Sequence, residues 1–201
     1  NELTEKLSRY SSYSDKINCA QLREGMFAVN KTVFIDIPSD LSIAFCGKVI
    51  SATQENEFIA HYEPQFQEAY SFLKKLRFFK ITPSEIILKF INDFDSIDKF
   101  VKQHNEGVIK FLLNAHKDFF DHCLKYPLDK QQRRSIVSEE DNCLVVSSAG
   151  SGKTSSIVGK VKYLTEIKGI APERILLISY TNKAAAELTE RMATDGLKGY
   201  T

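Results

Sequence analysis

The residues best suited to chemistry form one stretch, Cys143 to Thr154, in which an apolar run meets Gly-Ser-Gly-Lys-Thr. Gly150 and Gly152 let the backbone curl with its amides pointing inward. A helix beginning directly afterwards adds the positive end of its dipole. Lys153 can then reach the outer phosphates of a nucleotide, and Thr154 can offer a hydroxyl to Mg²⁺. The stretch therefore predicts a loop that binds a nucleoside triphosphate.

One position departs from the usual phosphate-loop pattern, which begins with glycine five residues before the second loop glycine. This chain has Ser147 there. The plain alternative is a glycine turn between a strand and a helix, with Lys153 simply solvated. The flanks favour the phosphate loop, because the apolar run Leu144–Val146 predicts a buried strand and an amphipathic stretch follows Thr154.

Composition bounds the chain without assigning it a function. At 201 residues, with 43% apolar and 26% charged residues, it has the make-up of one large or two small globular domains. A net charge of +1 gives no strong field, so any DNA must be bound by a local groove. The four cysteines show no C-x-x-C spacing and predict reduced thiols in a cytoplasmic protein. No apolar run approaches the ~18 residues of a membrane span, so no membrane partner is expected. Because the chain opens on Asn1, we expect it to be part of a longer protein.

The N-terminal part, residues 1–126, is predicted to be a mostly helical extension. Residues 1–30 have irregular helical spacing, and residues 58–79 place apolar side chains on one helical side. Between them, the alternation of Val33, Ile35 and Ile37 predicts either a short strand or an extended linker. The apolar run 41–50 fits neither period.

A long apolar stripe follows. Thr82-Pro83-Ser84-Glu85 predicts a capping box with proline at the first helical position. From Ile87 to Cys123 apolar residues recur about every 3.5 positions, and one helix of that length would extend roughly 60 Å. Such a helix is too long for a compact domain, so it should protrude or break, at 92–93 and at 105–107. The stripe predicts a seam against earlier helices rather than a ligand site.

The second part, residues 127–201, has an α/β pattern. Tyr126-Pro127 should end the preceding helix, and we place a domain boundary there. A short helix leads into the strand before the loop, and the helix after the loop should stop at Gly169. Residues 175–178 predict a second buried strand, after which Thr181 caps another helix. Strand, helix, strand and helix in this order predict a parallel unit.

This second part resembles the start of a UvrD/Rep-type superfamily 1 DNA helicase. Ala149 to Thr154 is similar to the family's Walker A motif. Thr181-Asn182-Lys183-Ala184-Ala185-Ala186-Glu187 is similar to motif Ia, and Gln132-Arg133 to the upstream Q motif. The lead-in, with His104-Asn105, Phe119-Phe120 and Tyr126-Pro127-Leu128, resembles the helicase IV subgroup. The resemblance covers about 75 residues.

The resemblance implies a fold and a set of roles. The fold is an α/β protein in which the helical N-terminal region precedes the truncated start of a RecA-like, P-loop NTPase domain with a parallel sheet. ATP and Mg²⁺ are the implied cofactors, and single-stranded DNA is the implied partner of the parent protein. Lys153 and Thr154 are the implied catalytic residues, with Thr154 on the metal. The implied nucleotide-binding residues are Gln132, Ala149, Gly150, Ser151, Gly152, Lys153 and Thr154; the implied DNA contacts are Tyr180, Thr181 and Asn182.

Two alternatives stay open at this point. The parent could instead remodel a protein complex, such as RNA polymerase, with the helical N-terminal region as a protein-binding lever. The chain could also be a self-contained nucleotide-binding module, although two parallel strands alone would leave exposed edges. No Asp-Glu pair of the Walker B type occurs in the sequence. We therefore expect activity from the parent protein and none from these 201 residues alone.

Overall fold

The computed structural model describes residues 35–78, 80–148 and 150–197. The helix predicted for residues 1–30 and the start of the strand or linker at Val33 lie outside these ranges. The chain divides into two compact units, residues 1–105 and 106–201. The domain boundary predicted at Pro127 stays a prediction.

The described part of the first unit is built from helices around one apolar core. Helix α1 is Ile37–Ala44, α2 is Ala52–Phe78 and α3 is Glu85–Phe94, and α4, Ile97–Ala115, begins in this unit. The core is made by buried side chains from all four helices and their connections, among them Ile37, Leu41, Ile50, Ala69, Phe72, Leu73, Leu76, Ile81, Ile87, Phe90, Ile91, Ile97 and Val101. The pattern that predicted a strand or linker is therefore helix from Ile37 onwards, with Pro38 in its first turn.

The start of α3 differs by two residues from the predicted one. Its N-cap is Ser84, whose hydroxyl accepts from the amide of Ile87 at 3.5 Å. Pro83 precedes the cap instead of occupying the first helical position. Several polar residues in a row can each cap a helix, so the sequence locates the start without choosing among them.

The long apolar stripe is interrupted twice, once close to a predicted break and once after Ala115, where no break was predicted. The helix ends at Phe94 and restarts at Ile97, close to the predicted break at 92–93. The second predicted break is wrong, because α4 continues through 105–107 and ends at Ala115. The Asn105 side chain does not compete for backbone hydrogen bonds of its own helix, because its amide group pairs with the backbone N–H and C=O of Ile50 at 2.8 and 2.9 Å.

The second unit holds the remaining helices. Its α-helices are α5, Lys117–His122, α6, Lys130–Val137, α7, Lys153–Lys162, and α8, Asn182–Thr194, and a 3₁₀ turn, Pro172–Arg174, lies between α7 and α8. Helix α7 continues as one π-helical turn, Tyr163–Ile167, and Gly169 follows with a positive φ of 66°, as predicted for a helix end. Val158, Val161 and Met192 form a buried cluster between α7 and α8.

The predicted parallel sheet is not present, and the α/β fold class is wrong for the described residues. These are about 68% helical and contain no strand. Residues 143–148 and 175–179 form neither helix nor strand, and Leu144 and Val146 expose 88% and 86% of their surface. In the second segment Ile175 and Leu177 pack on the α7–α8 cluster. Leu176 and Ile178 point outward there, 81% and 85% exposed.

The physical reason lies in what a sheet requires. An apolar run can be buried on both faces only if neighbouring strands and covering helices are supplied. Two extended segments make at most one pair, and an isolated pair is marginal in water. In the described residues the helices cover one side of the second segment and neither side of the first.

None of the described helices combines the length and the apolar character that crossing a membrane requires.

Candidate nucleotide site

The glycine loop connects residues 143–148, which form neither helix nor strand, to the first turn of α7. Gly150 and Gly152 have φ values of 77° and 84°, in the left-handed region where side chains other than hydrogen are strained. Gly152 is the N-cap residue of α7. Ala149 lies outside the described residues. The loop thus turns directly into a helix N-terminus, where the first amides have no partner within the helix.

Lys153 folds back over this loop. Its Nζ donates to the carbonyl of Ser148 at 2.6 Å and to that of Ser147 at 3.1 Å. The Ser151 hydroxyl donates to the same Ser148 carbonyl at 2.8 Å. The ammonium group of Lys153 therefore lies against the loop. Lys153 is the residue that the sequence pattern predicts to bind phosphate.

Gln132 contacts the loop from α6. Asp129 caps this helix by accepting from the amides of Gln131 and Gln132, and Gln132 Oε1 accepts in return from the Asp129 amide at 2.9 Å. Gln132 Nε2 lies 3.4 Å from the carbonyls of both Ser151 and Gly152. A Cβ added at Gly152 would overlap Nε2. The structure therefore brings Gln132, Ser151 and Gly152 together, and shows the capping role that competes with adenine recognition.

Lys160 ties α7 to the end of α6 and was not singled out from the sequence. Its Nζ donates to the carbonyls of Ile136 and, at 3.2 Å, Ser138. Burial lowers the pKa of Lys160, and the nearby carboxylate of Glu139 opposes that change. A cation beside the last carbonyls of a helix is also favoured by the helix dipole. The spacing of Lys160 from Lys153 carries no motif, so no sequence signal could have found it.

The close approach of α6 and α7 depends on Gly159. A Cβ there would come within 2.9 Å of the Ile136 and Leu128 methyl groups. Both of these side chains are buried, with 1% and 3% exposed. Glycine thus sets the distance between the helix that carries Gln132 and the helix that carries Lys153.

The residues predicted to contact DNA lie at a second junction, between the extended segment 175–179 and α8. Tyr180 is fully exposed. The Thr181 hydroxyl accepts from the amide of Ala184 at 3.2 Å and so caps α8, which begins at Asn182. The predicted helix cap is confirmed, and the Thr181 side chain already has this structural task.

The donor set of the loop suits a polyphosphate and its metal ion. A Cβ at Gly150 would meet nothing within 4 Å, so the loop is open at that point. Thr154 is half-buried in the first turn of α7, and in the described ranges its hydroxyl makes no hydrogen bond. The described residues contain no cluster of three or more His, Cys, Asp or Glu that could hold a metal. Mg²⁺ usually enters nucleotide sites on substrate phosphates, with one or two protein ligands.

Comparison with known proteins covers this same region. The UvrD/REP helicase N-terminal domain family matches residues 128–199, which include the Gln132 helix, the glycine loop and the α8 junction. Residues 128–199 are therefore similar to the UvrD/REP helicase N-terminal domain. We call them the helicase segment below. The resemblance drawn from the sequence motifs is thereby confirmed.

Individual relatives agree in kind. DNA helicase IV of Escherichia coli is 39% identical over 90 residues, which are 45% of this chain and 13% of that protein. ATP-dependent DNA helicase UvrD1 of Mycobacterium tuberculosis is 44% identical over 72 residues, 36% of this chain and 9% of that protein. DNA helicase II of Escherichia coli is 37% identical over 65 residues, 32% and 9% respectively. The matches thus span 13% or less of these relatives, and no solved structure matches the chain.

Proposed function

We propose that the helicase segment is the nucleotide-binding start of an ATP-dependent DNA helicase. One observation carries the proposal: within sequence of this family, the Lys153 ammonium lies on a two-glycine loop that opens into the N-terminus of α7. Backbone amides at a helix N-terminus together with a lysine form a site for phosphate anions.

The chain's own residues would act as follows. Lys153 Nζ would exchange its two carbonyl partners for the outer phosphates, to which an ammonium is attracted more strongly because they are charged. The amides of Gly150 to Lys153 would surround the phosphates. The Thr154 hydroxyl would hold Mg²⁺, which neutralises phosphate charge when bound. Gln132 would read the adenine edge.

In the parent protein we propose that nucleotide turnover drives movement along single-stranded DNA and separation of the duplex. Tyr180 would supply an exposed ring for a base, as aromatic residues do in single-strand sites. Thr181 and Asn182 follow and are both exposed; the Thr181 hydroxyl caps α8, and Asn182 occupies the first position of this helix. Two relatives support this assignment by their names: one is called DNA helicase IV, and the other is called ATP-dependent DNA helicase UvrD1.

The test is titration of the 201-residue chain with Mg-ATP by calorimetry. Lys153→Ala should abolish binding, because it removes the only side-chain cation placed on the loop in the described residues. Lys125→Ala, which removes an exposed lysine from another part of the same unit, is the matched control. Equal Mg-ATP binding by wild type and Lys153→Ala would contradict the proposal.

A further inference from the structure

Helix α2 changes the sign of its charge along its length. Its first part carries four glutamates, Glu55, Glu57, Glu63 and Glu68, with no lysine or arginine among residues 52–68. Residues 69–80 contain no acid and four cations, Lys74, Lys75, Arg77 and Lys80. Cations near a helix C-terminus complement its dipole. The last three turns of α2 thus concentrate positive charge at the C-terminal end of this helix.

These cations lie on a surface that also carries aromatic rings. Tyr70, Lys74 and Phe78 follow each other at intervals of four and so share one side of α2. Lys74 Nζ lies 4.5 Å from the centre of the Tyr70 ring. Phe78 exposes 79% of its surface. We call the surface formed by Tyr70, Lys74, Arg77, Phe78 and Lys80 the basic end.

No carboxylate of the described residues neutralises the basic end. Ion pairs in the first unit join Lys89 to Asp36 and Asp93, and Lys102 to Asp98. The acids that flank the cations in sequence, Glu68 and Glu85, form no ion pair with them. Within the described ranges this charge is therefore directed at solvent.

Lys80 occupies a position where glycine is the usual residue. It is the only described non-glycine residue with a positive φ, at 53°. The Ile81 amide donates to the Leu76 carbonyl and the Lys80 amide to the Arg77 carbonyl, at 2.9 and 3.1 Å. This is the Schellman pattern, and Ile81 and Leu76 supply its buried apolar contact. A lysine held in this conformation is strained, and such strain is concentrated at functional positions.

We propose that the basic end is a second nucleic-acid contact, which binds the phosphates of a single strand through Lys74, Arg77 and Lys80 while Phe78 stacks on a base. Cations that no carboxylate of the described residues neutralises match a polyanion. A ring beside them matches the combination that holds single strands without sequence preference. This contact lies in the first unit, outside the helicase segment, and does not depend on Tyr180 or Asn182.

A membrane surface and the helix dipole each account for less of the basic end. A membrane-surface helix presents a broad apolar face to lipid, whereas the apolar face of α2 is buried in the core through Ala69, Phe72, Leu73 and Leu76. The helix dipole accounts for the cations in the last turn of α2. It does not require a lysine at position 80, where the backbone has a positive φ. Single-stranded nucleic acid accounts for the charge, the ring and Lys80 together.

The first test measures binding of a fluorescein-labelled oligothymidylate to the whole chain by anisotropy as salt is varied. For single strands each phosphate contact contributes about 0.7 to the slope of log K against log salt, which is about fivefold in affinity at 0.1 M salt. Lys74→Gln with Arg77→Gln should therefore lower affinity about 25-fold and the slope by about 1.4. Lys99→Gln with Lys102→Gln, the same change of charge on α4, should change neither. Equal effects of the two pairs would overturn the proposal.

The second test separates binding from folding. Lys80→Gly relieves the strained φ and should raise Tm by a few degrees, while lowering affinity for the oligonucleotide about fivefold. Phe78→Ala should lower affinity about tenfold, and Ile43→Ala, at another exposed apolar residue, should not. A stabilised Lys80→Gly chain with unchanged affinity would overturn the proposal, because Lys80 would then serve only the helix end.

A third measurement keeps this proposal apart from the proposed function. In a Tyr180→Ala, Asn182→Ala chain the basic end should still bind the oligonucleotide, with the salt slope expected above. Loss of all binding in that chain, with no effect of the Lys74 and Arg77 changes, overturns the basic end and leaves the helicase assignment standing. Binding to vesicles of anionic phospholipid without binding to the oligonucleotide overturns it in favour of a membrane surface.

Discussion

Gln132 has two tasks that can be separated by substitution. Its carbonyl oxygen completes the capping box with the Asp129 amide, and its NH₂ group lies against the loop carbonyls of Ser151 and Gly152. Reading adenine would use the same two ends, the carbonyl for the N6 amino group and the NH₂ for N7. The contacts to the loop are long, at 3.4 Å, so the NH₂ group is the end that can be redirected at least cost.

We predict that Gln132→Glu abolishes a preference for ATP over GTP while the cap of α6 survives. A carboxylate still accepts from the Asp129 amide but cannot donate to N7. A bidentate match of this type is worth roughly 1–3 kcal/mol, so wild type should prefer Mg-ATP over Mg-GTP by about tenfold to a hundredfold. Competition binding measures this ratio, and urea denaturation checks the cap. If Gln132→Glu keeps both the ratio and the stability, Gln132 is a capping residue only.

Two buried tyrosines offer a matched test of hydrogen bonding and pH. Tyr62 donates to Asp40 Oδ2 at 2.7 Å, and burial together with this bond raises the pKa of Tyr62 to about 12. Burial, with the Glu139 carboxylate nearby, also raises the pKa of Tyr163 to about 12, yet its hydroxyl has no partner in the described residues. Both tyrosines thus have a raised pKa, but in the described residues only the Tyr62 hydroxyl has a hydrogen-bond partner.

We predict opposite outcomes for these tyrosines at neutral pH. Tyr62→Phe should lower the free energy of unfolding by about 1 kcal/mol, whereas Tyr163→Phe should leave it unchanged or raise it, because it removes an unsatisfied buried group. An unfolded tyrosine ionises near pH 10, so between about pH 10 and 12 the unfolded chain binds fewer protons and wild-type stability falls as pH rises. Each variant should show a shallower fall in urea denaturation. Equal losses at neutral pH would contradict this.

Helix α4 and helix α7 each contain a glycine, and the two should respond in opposite ways to alanine. Gly107 has no atom within 4 Å of an added Cβ, so Gly107→Ala should stabilise the chain by about 0.5–1 kcal/mol through helix propensity. Gly159→Ala gains the same propensity but forces a methyl group against Ile136 and Leu128, at an overpacking cost of about 1–3 kcal/mol. Thermal denaturation compares them. A Gly159→Ala chain as stable as Gly107→Ala would show that α6 and α7 can separate freely.

Elements with local signals could be predicted from the sequence. The Thr181 cap, the end at Gly169 and the loop between Gly150 and Gly152 each depend on residues adjacent in the chain. Asp129 with Gln132 three positions later is also a local capping signal, and it predicts the Gln132 contact better than the adenine assignment alone. Local chemistry therefore positions the candidate site well.

Elements that need distant partners could not be predicted in the same way. The apolar run Leu144–Val146 indicates only that burying these side chains would be favourable. It does not indicate which element would cover them, and in the described residues no strand or helix does so. The helix break predicted at 105–107 is wrong because the Asn105 side chain hydrogen-bonds the backbone of Ile50, 55 residues away in sequence. Lys160 likewise acts through carbonyls that its own sequence neighbourhood does not reveal.

At the scale of the molecule, binding and turnover of nucleotide have different requirements. In the proposed site, binding needs the loop, Lys153 and the first turn of α7, all of which lie in the helicase segment. Hydrolysis by this class of enzyme proceeds by positioning and by neutralising charge around the transferred phosphoryl group. It also needs a group that orients water, and the sequence contains no Asp-Glu pair of the Walker B type to do so.

We therefore predict that these 201 residues bind Mg-ATP and do not turn it over. A steady-state phosphate-release assay should give no signal above buffer, while a saturating concentration of Mg-ATP, about 100 times its dissociation constant, should stabilise the chain by about 2.7 kcal/mol. Lys153→Ala should lose that stabilisation, and Lys125→Ala should retain it. Steady hydrolysis that Lys153→Ala abolishes would contradict the prediction. Such a result would place a water-orienting group among the residues present, with the carboxylates of Glu187 and Glu190 on α8 as the first to substitute.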